Sequence, residues 1–229
     1  MKNIGLIGCG HIAETYFRSQ DYFNNINFVA CADKFHEAAI KCAEQNKITA
    51  LSVDEILKDK DIDIILNLTI PQAHFEVSKL ALESGKHVYS EKPMSITYDD
   101  AKHLLELASK NNLYFGNAPD TFLGGGGQLS RELVDKDEIG KILTGNFIFA
   151  FPGVQEFHPN PESWFQVGGG PVIDMGPYFF TTLVNLLGPA KNVRARGKLF
   201  SNQREYLVGP KKGKFFDVEI PTSVMFDVE

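Results

Sequence analysis

The first residues of the chain constrain its fold more than any other stretch. A short apolar run, residues 3–7, leads into Gly8, and Gly10 and Ala13 complete the spacing G-x-G-x-x-A. The run is too short for a helix and suits a buried strand. A strand, a glycine turn and a helix in this order are typical of the Rossmann unit, which binds a dinucleotide.

Each small residue has a purpose in such a turn. Gly8 can adopt the backbone angles of a tight turn, Gly10 has no Cβ to hold a pyrophosphate away, and Ala13 lets the helix lie close to the strand. We predict that the helix begins near His11. The unpaired backbone N–H groups of His11 and Ile12 would then face the phosphates.

A second predicted strand, residues 27–32, ends at Asp33. A Rossmann unit places at about this position the acid that accepts the ribose hydroxyls. The carboxylate favours NAD because it would repel the 2′-phosphate of NADP, but Lys34 could offset that repulsion, so NADP stays open. Alternatively, Asp33 caps a helix that starts near Phe35.

Composition narrows the class of protein. With 229 residues, the chain is long enough for one complete domain and a second, smaller or incomplete one. Hydrophobic residues at 43% suffice for a core without disulfides or structural metals. A formal charge of −6 argues against a nucleic-acid surface, because such a surface needs clustered Lys and Arg.

The chain has three cysteines, Cys9, Cys31 and Cys42, and their odd number favours buried thiols in a reducing cytosol. The histidines are scattered and no Cys or carboxylate spacing matches a ligand set, so we expect no metal site. No stretch reaches the length of a membrane span, and the first strand leaves no room for a signal peptide. We therefore expect a cytoplasmic protein without membrane contact.

Strands and helices alternate up to about residue 120. This predicts an α/β domain over residues 1–120, a doubly wound parallel sheet with right-handed crossovers. The predicted helices are residues 13–23, 36–46, 53–57, 73–84 and 98–110, and the later strands are residues 49–51, 64–68, 87–90 and 113–115.

The pattern changes after a turn-rich stretch near residue 120. Residues 121–229 predict an incomplete α+β domain with a mainly antiparallel, open sheet of about three strands. Its predicted helices are residues 128–134 and 172–187, and its predicted strands are residues 143–151, 193–200 and 216–228.

Three short stretches follow the fourth, fifth and sixth predicted strands. They comprise Thr69, Ile70, Pro71 and His74, then Glu91, Lys92 and Pro93, and finally Asn117. Open α/β sheets bind ligands at the carboxyl ends of their strands, so we expect these stretches to contact the dinucleotide. His74 could instead cap its helix.

At these stretches the chain resembles the Gfo/Idh/MocA family, the oxidoreductases related to glucose-fructose oxidoreductase and inositol dehydrogenase. The resemblance includes the glycine turn, the spacing T-x-P-x-x-H, residues 85–93 ending in Glu-Lys-Pro, and residues 168–176. It implies an NAD(P)-dependent oxidoreductase that moves a hydride between nicotinamide and a hydroxyl or carbonyl carbon of a sugar, polyol or related compound. A protein of the same family that binds NAD(P) without turnover, as a sensor or regulator, is the alternative.

The resemblance also implies three catalytic residues. Lys92 would bind the substrate hydroxyl, although most lysines at strand ends are surface residues, and the Lys92-Pro93 bond could be cis. Asp174 matches the aspartate of the family pattern D-x-G-x-H, but Tyr178 stands where that pattern has histidine. A phenol has a pKa of about 10, so Tyr178 needs a neighbouring cation such as Lys92 to pass a proton; simple packing is the alternative.

Asp120, His158 and Trp164 are weaker substrate candidates, the last two in a proline-rich loop. Family members are considerably longer than this chain. We therefore expect a second domain that is incomplete, or one that pairs its open sheet with another copy in a homo-oligomer.

Overall fold

The computed structural model describes residues 1–229, which divide into two units, Met1–Ala118 and Pro119–Glu229. The first unit contains a six-stranded sheet of order β3-β2-β1-β4-β5-β6, and all of its strand pairs are parallel. This order confirms the predicted doubly wound sheet, whose strand order reverses between β1 and β4. The strands are β1 (Lys2–Ile7), β2 (Ile26–Ala32), β3 (Thr49–Ala50), β4 (Ile64–Asn67), β5 (His87–Ser90) and β6 (Phe115–Asn117).

Five helices connect these strands: α1 (Ala13–Ser19), α2 (His36–Asn46), α3 (Val53–Lys58), α4 (Pro71–Glu83) and α5 (Tyr98–Lys110). Capping side chains fix two of their starts, because Ser52 and Glu55 form a capping box at α3 and Thr97 accepts from the Asp100 N–H at α5. α1 begins at the first residue of the predicted helix 13–23, and a 3-10 turn, Gln20–Tyr22, continues it beyond Ser19. Its first turn closes with the Ala13 N–H on the Gly10 carbonyl.

Both faces of the parallel sheet are covered. Ala32 and Ile65 pack on one face under α3, α4 and α5, whereas Leu6 and Cys31 pack on the other under α1 and α2. All four side chains are completely buried or nearly so. A strand that is buried on both faces must be apolar at successive positions, which explains the continuous apolar run of β4.

The second unit contains helices α6 (Gly125–Asp135) and α7 (Gly176–Leu187), with a π-helical turn, Pro171–Met175, before α7. Two two-stranded antiparallel sheets pair β7 with β10 and β8 with β9. These strands are β7 (Val193–Lys198), β8 (Gln203–Glu205), β9 (Phe215–Asp217) and β10 (Ser223–Val228). The predicted sheet of about three strands is therefore wrong in its detail, and β8 was missed.

The predicted strand over residues 143–151 is not formed. Leu143 and Ile148 are 85% and 87% exposed, and Phe147 and Phe149 pack on Phe179 of α7. A strand exists only where a neighbour completes its backbone hydrogen bonds, and no strand of the chain pairs with this run. The predicted strand over residues 216–228 is likewise divided into β9 and β10.

A small core holds β8 and β9 to the loop before α7. Phe165, Tyr206 and Phe216 are buried there with their rings in contact. Glu162 accepts hydrogen bonds from Tyr206 and Lys211. Burial by itself would raise the pKa of the Glu162 carboxyl, but these hydrogen bonds outweigh it and lower the pKa to about 2. None of the helices combines the length and the apolar character that crossing a membrane requires.

Candidate active site

The glycine turn after β1 has the geometry that a dinucleotide requires. Gly8 has φ 105°, and a Cβ there would lie 2.6 Å from the backbone carbonyl of Leu68. Gly10 is exposed, and no protein atom lies within 4 Å of the position that its Cβ would take. Gly8 is therefore required by the fold, whereas Gly10 leaves open the space that a pyrophosphate would occupy.

The backbone beside this space carries unused donors. The N–H groups of His11 and Ile12 donate to no acceptor within the chain, and both residues are exposed. An anion could therefore accept from both groups without breaking an existing hydrogen bond.

Asp33 connects the end of β2 to the glycine turn. Its Oδ2 accepts from the Cys9 N–H at 2.8 Å, and its Oδ1 accepts from the Phe35 N–H at 2.8 Å. The second bond closes a turn before α2 but does not cap the helix, whose N-cap is Phe35. Two amides thus hold the carboxylate beside the turn, where its remaining lone pairs could accept ribose hydroxyls. Lys34 is exposed.

A buried network of hydrogen bonds supports the loop that follows β4. Asn67, which is completely buried, accepts from the Thr69 hydroxyl at 2.7 Å and donates to the His74 carbonyl and the Ser78 hydroxyl at 3.0 Å each. Ile70 is the N-cap of α4 and Pro71 is its first residue. The sequence analysis missed Asn67. An amide side chain at the end of an otherwise apolar strand is the signal that could have identified it.

His74 joins this loop to the Glu-Lys-Pro stretch. Its Nδ1 lies 2.6 Å from the Pro93 carbonyl oxygen and its Nε2 lies 2.9 Å from the Thr69 carbonyl oxygen. The side chain is 1% exposed, so the geometry favours a role in positioning these loops over the predicted direct contact with a cofactor. The Lys92-Pro93 peptide bond is cis, which confirms that prediction.

Hydrogen bonds also hold the backbone on the other side of Lys92. Glu91 accepts from the Tyr16 hydroxyl and from the Lys92 N–H, both at 2.9 Å. The Asn117 side chain donates to the carbonyls of Ser90 and Glu91 at 3.0 Å each. Glu91 and Asn117, both predicted to bind the cofactor, therefore fix the segment that carries Lys92.

In the second unit, Asp174 and Trp164 line a common cavity of about 60 Å³, together with Arg204. Asp174 lies in the π-helical turn, and Tyr178 follows it in the first turn of α7. The His158 ring packs against Trp164, with their centroids 4.7 Å apart. Asp120 is exposed and caps no helix with its side chain.

The comparisons with known proteins follow the same division. Residues 2–118 match the family model described as "Oxidoreductase family, NAD-binding Rossmann fold", and residues 128–229 match the GFO/IDH/MocA C-terminal domain. The chain belongs to the Gfo/Idh/MocA oxidoreductase family. The resemblance that the sequence motifs indicated is thereby confirmed.

Relatives within the Gfo/Idh/MocA family include oxidoreductases that act on sugars. D-xylose dehydrogenase of Paenarthrobacter nicotinovorans is 29% identical over 170 residues, 70% of this chain and 44% of that protein. An uncharacterized oxidoreductase of Schizosaccharomyces pombe is 28% identical over 165 residues, 70% of this chain and 43% of that protein. The chain spans less than half the length of these two relatives.

A solved structure shows the same fold. Levoglucosan dehydrogenase, in a complex with NADH and L-sorbose, aligns with a TM-score of 0.85 and 21% identity. The alignment covers 100% of this chain and 64% of that protein. At this identity the likeness concerns the fold alone.

The three thiols of this Gfo/Idh/MocA chain form a cluster that the sequence analysis missed. The Sγ atoms of Cys9, Cys31 and Cys42 all lie within 4.8 Å of one another. The expectation of no metal site used spacing along the chain, whereas these thiols come from the glycine turn, β2 and α2. Only the packing of these three elements brings them together.

Proposed function

We propose that this chain functions as an NAD(P)-dependent oxidoreductase that transfers a hydride between nicotinamide and a hydroxyl or carbonyl carbon of a sugar, polyol or related compound. One arrangement carries the proposal. The glycine turn leaves open space and is hydrogen-bonded to Asp33, and further hydrogen bonds fix the segment that contains Lys92. Family membership and the sugar-acting relatives support the same activity.

The residues of the first unit fit a nicotinamide dinucleotide. Gly10 leaves room for the pyrophosphate, the amides of His11 and Ile12 would donate to it, and Asp33 would accept from the ribose hydroxyls. Because a carboxylate at Asp33 repels a 2′-phosphate, we favour NAD over NADP. When bound, the cofactor accepts or supplies the hydride.

Lys92 would act on the substrate hydroxyl. Its ammonium group would donate a hydrogen bond to the hydroxyl oxygen and stabilise the negative charge that develops there as the proton leaves. The contacts of His74, Glu91 and Asn117 hold the backbone of this segment in place. Pre-organisation of this kind lowers the cost of orienting the group during reaction.

The second unit would contribute the remaining groups. Asp174 would orient the reacting hydroxyl, and the phenolate of Tyr178 would accept the hydroxyl proton and return it in the reverse reaction. Trp164 and His158, whose rings pack together, would form a wall against the apolar face of a sugar ring, and Asp120 would bind a further hydroxyl. We further propose that the open sheets of this unit pair with another copy of the chain.

Cofactor titration followed by a substrate screen tests this function. NADH and NADPH are titrated by fluorescence, and sugars and polyols are then screened for a change in nicotinamide absorbance. Binding of NADH with turnover of a hydroxyl compound is the expected result. Binding without turnover would support the sensor alternative, and the absence of binding by both cofactors would refute both functions.

A further inference from the structure

We propose that Cys9, Cys31 and Cys42 form a binding site for one thiophilic divalent cation of the zinc class. The site lies beside the glycine turn, and none of the three thiols has a role in the reaction proposed above. The inference therefore does not depend on that reaction.

The spacing of the sulfurs suits a single ion. A zinc ion lies about 2.3 Å from each thiolate sulfur, which places tetrahedrally arranged sulfurs about 3.8 Å apart. The three Sγ atoms already lie within 4.8 Å of one another. Closing the site therefore needs side-chain shifts of about 1 Å or less.

Rigid elements hold two of the ligands. Cys31 lies in β2, paired with Leu6 of β1, and it is completely buried; Cys42 lies on α2 and is 8% exposed. Cys9 is held by its N–H bond to Asp33. Ligands that are already in position lose little conformational freedom when an ion binds, so this arrangement favours affinity.

The sulfurs lie close to one another, and the Cys9 and Cys31 thiols donate to the carbonyls of Ala32 and Ala39. The interaction between Cys9 and Cys31 is the main reason why the pKa of Cys9 is raised and that of Cys31 is lowered. Burial is the main reason why the pKa of Cys42 is raised to about 11. A divalent cation binds the thiolate form of cysteine, so binding here would release the thiol protons to solvent.

An open cavity of about 740 Å³ gives access to the cluster. Cys9 and Cys42 line it, as do Lys41 and the ion pair that Arg18 forms with Glu14. Three thiolates and one divalent ion leave one net negative charge, which Lys41 would partly offset. The cavity also admits water, so a water molecule can complete a tetrahedral site with three protein ligands.

The test titrates the reduced protein with Cd²⁺, a spectroscopic probe for zinc, and follows the ultraviolet charge-transfer absorption of cadmium–thiolate bonds. We expect saturation at one ion per chain and displacement by Zn²⁺. Cys9→Ser, Cys31→Ser and Cys42→Ser should each weaken binding by about 100-fold or more, because even outer-shell partners contribute 10–100-fold. Gln45→Ala, an exposed residue of the same cavity, is the matched control and should bind as the wild type does.

A second measurement uses the wild-type protein, so that the proposal can be tested even if the Cys variants fail to fold. Zn²⁺ should slow the alkylation of Cys9, the most exposed of the three thiols, by at least about tenfold. The proposal is overturned if Cd²⁺ produces no charge-transfer absorption in the wild type, or if the folded Cys variants bind as tightly as Gln45→Ala. Alkylation at the same rate with and without Zn²⁺ would also overturn it.

Discussion

The two units of the chain differ in how completely their backbones are paired. In the first unit every strand has a neighbour within the chain and both sheet faces are covered. In the second unit the strands pair only two by two, and apolar side chains such as Ile148 and Met225 are exposed. An apolar pattern therefore predicts a strand reliably only where the same chain supplies a partner.

The contrast extends to the candidate site. The first unit holds Lys92 through hydrogen bonds from three directions, namely from His74, Glu91 and Asn117. The second unit places Asp174 in a π-helical turn beside a small cavity. We therefore expect substitutions in the first unit to affect chemistry and stability most, and substitutions in the second to have smaller effects.

The largest effect should come from Lys92→Met. Removing the ammonium group should lower kcat/KM by about 1,000-fold, because positioned acid–base groups contribute 10²–10⁴-fold. NADH affinity should change by a few-fold at most. Steady-state rates and NADH titration measure both quantities, with Lys60→Met, at an exposed lysine in the loop before β4, as the control. Undiminished turnover in the Lys92 variant would remove this residue from the reaction.

Gly8→Ala should destabilise the first unit by about 3 kcal/mol or more, because the positive φ and the close carbonyl of Leu68 both oppose a Cβ. Gly10→Ala is the matched variant. It should change stability by no more than about 0.5 kcal/mol, since its Cβ meets only open space, but it should weaken NADH binding. Denaturant unfolding measures the stability of the two variants, and NADH titration measures their cofactor affinity. If Gly8→Ala and Gly10→Ala are equally stable, the fold does not require glycine at residue 8.

His74→Leu should lower kcat/KM by roughly 10–100-fold, since it removes the ring contacts with the Thr69 and Pro93 carbonyls and loosens the loops that hold Lys92. His74→Gln, which can still donate to one carbonyl, should recover part of the activity. The split between kcat and KM is the measurement. A rise in KM with an unchanged kcat would point instead to a direct role in binding.

The smallest effect concerns the second unit at low pH. Because the pKa of Glu162 is lowered to about 2 from 4.5 in the unfolded chain, its ion pair should stabilise the unit above pH 4.5 and stop doing so as the pH falls towards 2. Glu162→Gln should abolish this pH dependence, with a change within about 1 kcal/mol for a partly exposed pair. Unfolding followed by the fluorescence of Trp164, the only tryptophan, measures how the stability of the second unit depends on pH. An unchanged profile in Glu162→Gln would assign the dependence to other groups.

Prediction from sequence succeeded where the controlling interactions are local. The helices at residues 36–46 and 98–110 and the strand at residues 87–90 have the predicted bounds, because apolar period and end residues act within each element. The strand predicted at residues 113–115 is observed two residues later, as β6. The Tyr114 N–H bonds the His87 ring there, so the strand ladder begins only at Phe115.

The sequence by itself determined the Rossmann order, the glycine turn and the stretch that carries Lys92, since each depends on residue types at short spacing. Only the tertiary structure decided that Asn67 and His74 support the loops, that three thiols distant in sequence form one cluster, and that residues 143–151 form no strand. These features depend on which elements become neighbours. Which elements lie side by side depends on the packing of the whole unit, and a local sequence pattern does not specify it.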